Sequence, residues 1–353
     1  MALGGGNIKV TTFPGTYINF ISNSVSRGYT IGERGVVALC YKLPAATEAS
    51  VVECTVTEFY GTETKLGASY SDESMWAFRE IFRNANKVVV YNMANEGATL
   101  EAGLTALEAY EFNVIVTDST TADEVTAIVT RVKNWRDTLG KKCQAVVYNH
   151  SVSGDLNNVA TINVAAKPVL AEGDSAHTDA ALVYWVAGAM AGCAINKSCT
   201  NKLYDGELEV EVAYTQSQLQ DALDAGKIMF HLVYGEVRML EDINSLVTPA
   251  EGQNDDFKSN QTIRVIDQIA NDISFMFNTK YLGHIANNAS GRISLWSDIV
   301  SHHKNLEIQG AIENFASENV VVQPGDSLKS VVIQDTITIP GTMSQLFMTV
   351  IIE

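Results

Sequence analysis

From Lys87 onward the sequence alternates between two kinds of segment. Short runs such as Val88-Val89-Val90-Tyr91, Val114-Ile115-Val116 and Ala145-Val146-Val147-Tyr148 are apolar without interruption. Between them lie stretches with apolar residues every third or fourth position: Leu100, Leu104 and Leu107, then Val125, Ile128, Val129, Val132 and Trp135. A strand that is apolar on both sides must be covered on both sides, and a parallel sheet flanked by helices does this. The middle of the chain therefore predicts an α/β layer, with strands over 87–91, 112–116 and 144–148 and helices over 98–110 and 123–139.

Outside this layer the pattern is mixed, α+β over the whole chain. Upstream it predicts strands over 35–39 and 51–56 and a helix over 72–83. Downstream it predicts helices over 180–194, 216–225, 256–280 and 294–309. Strands are predicted over 208–214, 228–234, 236–240, 319–322, 330–339 and 344–352.

The charges narrow the function. Lys and Arg number 24 against 41 Asp and Glu, a net charge of −17, and charged residues are only 18% of the 353. Phosphate affinity comes mainly from Lys and Arg, so a nucleic-acid partner is not expected. Three segments carry no charge at all: Val10–Ser26, Ala180–Asn196 and Thr336–Ile352. A membrane span needs about 20 mainly apolar residues, and these are shorter and, at the ends, rich in Thr, Ser, Asn and Pro. No membrane insertion is expected. The middle run, with its Gly188-x-x-x-Gly192, reads as a buried helix of a soluble core. The opening Met1-Ala2-Leu3-Gly4-Gly5-Gly6-Asn7 lacks the features of a secretory signal. Cys40, Cys54, Cys143, Cys193 and Cys199 are accordingly read as reduced, buried thiols of a protein made in the cytoplasm. Asn-x-Ser/Thr sequons at Asn149, Asn196, Asn260 and Asn288 carry no weight in that setting.

The motifs of a catalytic or cofactor site are missing. Neither phosphate-cradling glycine loop occurs, and Gly4-Gly5-Gly6 reads as a flexible terminus. There is no Gly-x-Ser-x-Gly elbow and no Cys-x-x-Cys knuckle, Cys193 and Cys199 being too far apart. Adjacent residues on a helix point about 100° apart, so His302-His303 do not converge on one metal; they read as a solvated helix face. Asp255-Asp256 reads as a helix cap and Glu241-Asp242 as a solvated strand end. No catalytic residue, cofactor or metal is expected.

The ends are the conspicuous parts. Val331–Ile339 contains five aliphatic residues, whose burial is worth roughly 8–15 kcal/mol. Ordering its nine residues costs roughly 9–18 kcal/mol, so the strand needs a sheet to join. Ser344–Ile352 has the same need. Such a strand either enters the chain's own core or completes a neighbour's sheet. The first 32 residues hold Lys9 and Arg27 and no acid, while residues 307–353 hold six acids against Lys329. Opposite charges suit pairing of one end with the other, within a chain or between chains.

The opening Met1–Asn7 with Pro14-Gly15-Thr16-Tyr17-Ile18-Asn19-Phe20 and Arg34-Gly35-Val36-Val37-Ala38 resembles the contractile tail sheath proteins of myophages, defective prophages and phage-tail-like bacteriocins. The most specific likeness lies in Arg238–Leu246 and in Asp256-Phe257, Asn260, Ile263–Asp267 and Ile269–Ile273. The close, Thr338-Ile339-Pro340, Met343, Leu346–Val350, fits as well. The resemblance spans nearly the whole chain. It implies a subtilisin-like α/β core without the protease triad, a smaller β-rich part, and terminal arms that pair as strands with neighbouring subunits. The implied division is an N-terminal arm (1–30), a small β-rich domain (31–86), the α/β core (87–245), a C-terminal helical and β domain (246–329) and a C-terminal arm (330–353). The arm residues are then Val10, Thr12, Tyr17, Ile18, Phe20 and Ile21 at one end. At the other they are Val331, Val332, Ile333, Ile337, Ile339, Leu346, Met348, Val350 and Ile352. The implied partners are further copies of the chain in hexameric rings or helical strands, an inner tail tube faced by helices of about 256–309, and baseplate and terminator proteins. The implied place is a virion tail or tail-like particle, assembled in a bacterial cytoplasm and then released. The implied role is contraction that drives the tube through an envelope.

Two other readings differ in kind. One is a cytoplasmic α/β enzyme or small-molecule binding protein using the C-terminal ends of strands, where Asp118-Ser119 and Asn149-His150-Ser151 fall. The other is a tube protein, against which the α/β middle argues.

Overall fold

The computed structural model describes residues 31–44, 50–62, 65–151, 154–174 and 176–352. Within them the apolar runs are strands buried on both faces. β1 (Val36–Tyr41), β2 (Val51–Thr55), β3 (Lys87–Asn92), β4 (Val114–Val116), β5 (Gln144–Tyr148), β6 (Thr161–Val164) and β7 (Lys227–Ile228) form one sheet, ordered β2-β3-β1-β4-β5-β6-β7. Every neighbouring pair is parallel except β2, which runs antiparallel to β3 at one edge.

The pleat sends alternate side chains to opposite faces. Val88, Val90, Val114 and Val116 enter one core, and Val89, Tyr91 and Ile115 enter the other. A single turn, α1 (Val56–Phe59), follows β2, closed by a capping box between Thr55 and Glu58. The first core is covered by α2 (Trp76–Phe82) and α5 (Val183–Gly192). The second is covered by α3 (Leu100–Leu107) and α4 (Ala122–Asn134). The periodicity thus located α3 and α4 and the uninterrupted runs located β3, β4 and β5.

α5 is buried on all sides, as expected for the charge-free middle segment. Its Gly188-x-x-x-Gly192 lies against the end of α2. A Cβ on Gly188 would stand 2.3 Å from the Ile81 carbonyl oxygen, and one on Gly192 would stand 1.8 Å from that of Asn84. The two glycines therefore serve a backbone-to-backbone approach inside the protein. Among the described residues no helix is long and apolar enough to cross a membrane.

Several expectations change. A separate β-rich unit over 31–86 is not what the topology shows, because β1 sits mid-sheet between β3 and β4. Local sequence could not reveal this, since parallel pairing depends on partners more than forty residues away. The strand expected over 208–214 is irregular. It meets residues 167–169 through a single bridge, Pro168 to Val210, and a proline cannot donate to a ladder. The run 228–234 is divided. Lys227–Ile228 closes the main sheet, while β8 (Phe230–Val233) pairs with β9 (Glu236–Met239) around a Tyr234-Gly235 turn whose φ values are 49° and 87°. Positive φ at both turn residues gives the tight two-residue hairpin. β6 was not anticipated, Thr161 and Asn163 breaking its apolar pattern.

After α6 (Gln216–Asp224) and this hairpin come α7 (Asn260–Met276) and α8 (Ala289–Ile308), then an antiparallel hairpin of β10 (Val320–Pro324) and β11 (Val331–Asp335). α8 begins earlier than its apolar pattern because Asn288 caps it, accepting the Gly291 N–H. Val265, Ile269 and Leu306 pack with Ile337 and Ile339; Leu295, Ile299 and Val320 pack with Val331 and Ile333. The strand expected over 344–352 is not formed: these residues carry no strand assignment and have no ladder partner among the described residues. The N-terminal arm candidates Val10, Thr12, Tyr17, Ile18, Phe20 and Ile21, and Gly4-Gly5-Gly6, lie outside the described residues.

The α2–α5 contact is testable. Gly192→Ala drives a methyl into a backbone carbonyl and is expected to destabilise by about 3 kcal/mol, the upper end for overpacking. Gly341→Ala, where nothing lies within 4 Å of the added carbon, is expected to be near neutral. Denaturant unfolding of the two variants measures the difference.

Candidate functional site

α7 is amphipathic, but the face turned inward is as much polar as apolar. Asn260, Gln261, Arg264, Asp267, Gln268 and Asp272 are all buried. Buried polar groups need partners, and each of these reaches a different part of the chain. The Arg264 guanidinium donates to Asp242 Oδ2 at 3.1 Å and to the Lys197 carbonyl at 2.9 Å. Asp267 takes both arms of Arg136, at 2.5 and 2.7 Å, a bidentate pair from the turn that follows α4. Asn260 accepts from Gln144 of β5 at 3.0 Å and donates to the Ile243 carbonyl at 2.7 Å. Half-buried Asn271 exchanges two hydrogen bonds with the Lys142 backbone, at 3.0 and 2.9 Å. One helix thus ties the start of β5, the turn after α4 and the loops around Lys197 and Asp242 to the C-terminal part.

The two most distinctive sequence blocks, 238–246 and 256–273, interlock here. Asp242 is 2% exposed; its Oδ2 also accepts the Cys199 N–H at 2.8 Å. The expectation of a solvated strand end at Glu241-Asp242 is therefore overturned for Asp242. Burial works to lower the Arg264 guanidinium, but Asp242 together with the Cys193 and Cys199 sulfurs outweighs it and holds the group above its ordinary value. Burial pushes the neighbouring Glu241 carboxyl up. Arg34, just before β1, is lowered to about 10 by burial and by Arg264. It donates to the Met190 and Cys193 carbonyls at the end of α5. Asp255-Asp256 open a short turn before α7, where Asp256 takes an Asn254 amide and Asp255 pairs with Lys258.

His302 and His303 are the clearest departure. A solvated pair was expected, yet they are 7% and 0% exposed. His302 Nε2 meets Asp272 Oδ2 at 2.9 Å, and His303 Nε2 meets Asp335 Oδ2 at 2.7 Å. The two Nδ1 atoms face each other at 3.3 Å. Asp272 Oδ1 also accepts the Gly32 N–H at 3.0 Å. Sequence missed this because the partners, Asp272 and Asp335, lie thirty or more residues away. Cys193 and Cys199 are likewise brought together. A hydrogen bond from Cys199 lowers the Cys193 thiol to about 7, with Arg264 acting in the same direction. Among the described residues no group of three or more His, Cys, Asp or Glu is placed to hold a metal ion.

At the strand ends, Ser119 gives its hydroxyl to Glu124 at 2.5 Å. The His150 backbone pairs with Asn163, and its Nε2 is buried with no hydrogen-bond partner. Among the described residues no hydroxyl or thiol is within hydrogen-bond reach of that nitrogen.

The candidate arm residues divide into two groups. Val331, Ile333, Ile337 and Ile339 pack on the chain's own C-terminal core, whereas Val332 is half exposed. Gln261 of α7 then holds the chain at its turning point, donating to the Pro340 carbonyl at 3.0 Å and accepting the Thr342 N–H at 3.2 Å. Beyond it everything is uncovered: Leu346 is 86% exposed, Met348 76%, Val350 68% and Ile352 92%. A groove of about 1050 Å³ lies between this segment and residues 241–261, lined in part by Glu241, Asp256, Gln261, Ile339 and Thr342.

Arg264→Met should strand the Asp242 carboxylate and destabilise by about 3–5 kcal/mol. Arg264→Met combined with Asp242→Leu should recover most of that loss. Chemical denaturation of the parent protein, Arg264→Met, Asp242→Leu and the double variant closes the cycle.

Comparison with known proteins bears on the whole chain. Residues 94–245 match the phage tail sheath protein central domain, and residues 252–353 match the phage tail sheath C-terminal domain. The phage-like element PBSX protein XkdK of Bacillus subtilis is 33% identical over 174 residues, 48% of this chain and 36% of that protein. The chain thus matches little more than a third of that relative's length. The tail sheath protein of Clostridium phage phiCD119 is 26% identical over 66% of this chain and 64% of its own. The fold matches the anti-feeding prophage helical sheath in its contracted state with a TM-score of 0.66 at 13% identity, covering 99% of each chain. Two sheath domains in their proper order, carried on this shared fold, place the chain in the phage tail sheath family.

Proposed function

We propose that the protein is a non-enzymatic structural subunit of a contractile tail sheath. It polymerises with copies of itself around an inner tube and contracts to drive that tube through a target envelope. The observation that carries this is the uncovered C-terminal segment. A run that includes Leu346, Phe347, Met348, Val350, Ile351 and Ile352, all largely exposed, is a poor surface for a free molecule. Fully burying each such side chain is worth about 1.5–3 kcal/mol, which a neighbour's sheet edge supplies. The β10–β11 hairpin offers an edge of the right kind, and a two-stranded sheet gains from further strands.

In this reading residues 343–352 are the C-terminal arm, and Val10, Thr12, Tyr17, Ile18, Phe20 and Ile21 belong to the N-terminal one. Acid-poor start meets acid-rich end between subunits. Hexameric rings, a tube-facing surface among the helices of 256–309, and attachment to baseplate and terminator proteins belong to the same proposal. So does a particle that assembles in a bacterial cytoplasm and is then released. Its support is family membership and the shared fold, together with the exposed segment.

Deleting residues from Met343 onward tests the arm. The truncated chain keeps β11 and is expected to stay folded, with its unfolding midpoint unchanged, but to form no tubes by negative-stain electron microscopy. Tubes of normal length from that truncation overturn the arm reading.

A further inference from the structure

The buried histidine pair joins the segment before β1 to the end of β11. From the N-terminal side the order is Gly32 N–H, Asp272, His302, His303, Asp335. Gly32 immediately follows the candidate N-terminal arm. Asp335 is the last residue of β11, the strand that precedes the packed Ile337 and Ile339 and, after them, the uncovered segment from Met343. The intervening groups sit on α7 and α8. The chain of contacts therefore links the segment just before β1 to the strand that precedes the C-terminal arm.

Its chemistry follows from counting protons. A carboxylate only accepts, so each Nε2 facing one must donate. That leaves the two Nδ1 atoms, 3.3 Å apart, to share one hydrogen bond. One Nδ1 carries the proton and the other supplies the lone pair. Closing that hydrogen bond takes three ring protons on four nitrogens, one imidazolium beside one neutral imidazole. The single positive charge then lies between two carboxylates. A second added proton sets N–H against N–H across the 3.3 Å contact; removal of the shared one sets lone pair against lone pair. The hydrogen-bonded arrangement is complete at one protonation level only.

We infer that His302 and His303, held between Asp272 and Asp335, form a shared-proton latch that seats strand β11 and opens when acid supplies a second proton. This rests on reading the segment beyond β11 as an assembly arm for its purpose, though not for its chemistry. Among the described residues the charged groups facing the pair are Asp272 from α7 and Asp335 from β11. Gln268, one turn back on α7, donates to Asp272 at 2.9 Å and meets Arg34 at 3.5 Å. Glu307, one turn along α8, is taken up by the Phe315 N–H at 2.9 Å, and the Phe315 ring lies against His303. The Asp335 side chain is 21% exposed while His303 is fully covered, so protons enter from the β11 side. The first consequence of a second proton is accordingly a loosened Asp335, and with it the end of β11.

Hydrogen exchange on the full chain tests this. Lowering the pH from about 8 to about 5 spans the usual range of histidine titration. After correction for intrinsic rates, protection of Val331–Asp335 is expected to fall about tenfold or more, while protection in β3 stays constant. His303→Gln keeps a donor for Asp335 and an acceptor for His302 but cannot titrate, so it should hold protection level across the range. Nitrogen-15 spectra of the wild-type imidazoles give a second readout independent of any variant. At neutral pH one of the two buried rings should be doubly protonated and the other singly. Two neutral rings at neutral pH, or unchanged protection of 331–335 down to about pH 5, overturn the latch. Neither readout depends on whether tubes form, and the truncation from Met343 leaves Asp335 in place, so the latch and the arm fail separately.

Discussion

The Arg264–Asp242 pair, 2% and 1% exposed at its side chains, is the contact on which the C-terminal part depends. An ion pair this deep adds little net stability, because desolvation consumes most of the Coulomb attraction, but a broken one is expensive. Its effect is therefore to permit one placement of α7 and penalise the rest. With Arg264 on Asp242 and Asp267 on Arg136, the helix is pinned at two points a turn apart. Asn260, Asn271 and Asp272 then fall opposite Ile243, Lys142 and Gly32.

Two kinds of burial divide the molecule. The sheet is held by apolar contact on both faces, which is non-directional and tolerant of small shifts. The junction between the sheet and the C-terminal helices is held by hydrogen bonds with fixed geometry. The first makes a sturdy body, and the second sets the direction in which the last residues leave it. Gln261 does this most plainly, since its amide grips the chain on both sides of Gly341.

What could be read from residues alone follows the range of the interaction. β3, β4, β5, α3 and α4 were visible because their patterns are local: uninterrupted apolar runs for strands covered twice, and spacing of three and four for helices covered once. The mid-sheet place of β1 was not visible, because it is set by β3 and β4. Nor was the polar face of α7. Arg264, Asp267, Asn271 and Asp272 stood out only as marks of family likeness, and nothing local distinguishes a buried Arg from an exposed one. His302-His303 failed for the same reason. Adjacent helical residues diverge too far to share a metal, yet these two rings, tilted 61° to one another, bring their inner nitrogens into contact. The uncovered end was legible as a need for a partner, since apolar strands without a sheet cannot hold their own conformation.

The position of β1 also bears on how the molecule carries load. Pulling on the segment before Gly32 transmits force directly into β1, which is bonded to β3 along Val36–Tyr41 and to β4 along Val37–Leu39. Tension along that axis shears both ladders at once instead of peeling one edge strand bond by bond. A chain tethered at this end is anchored where its sheet best resists rupture.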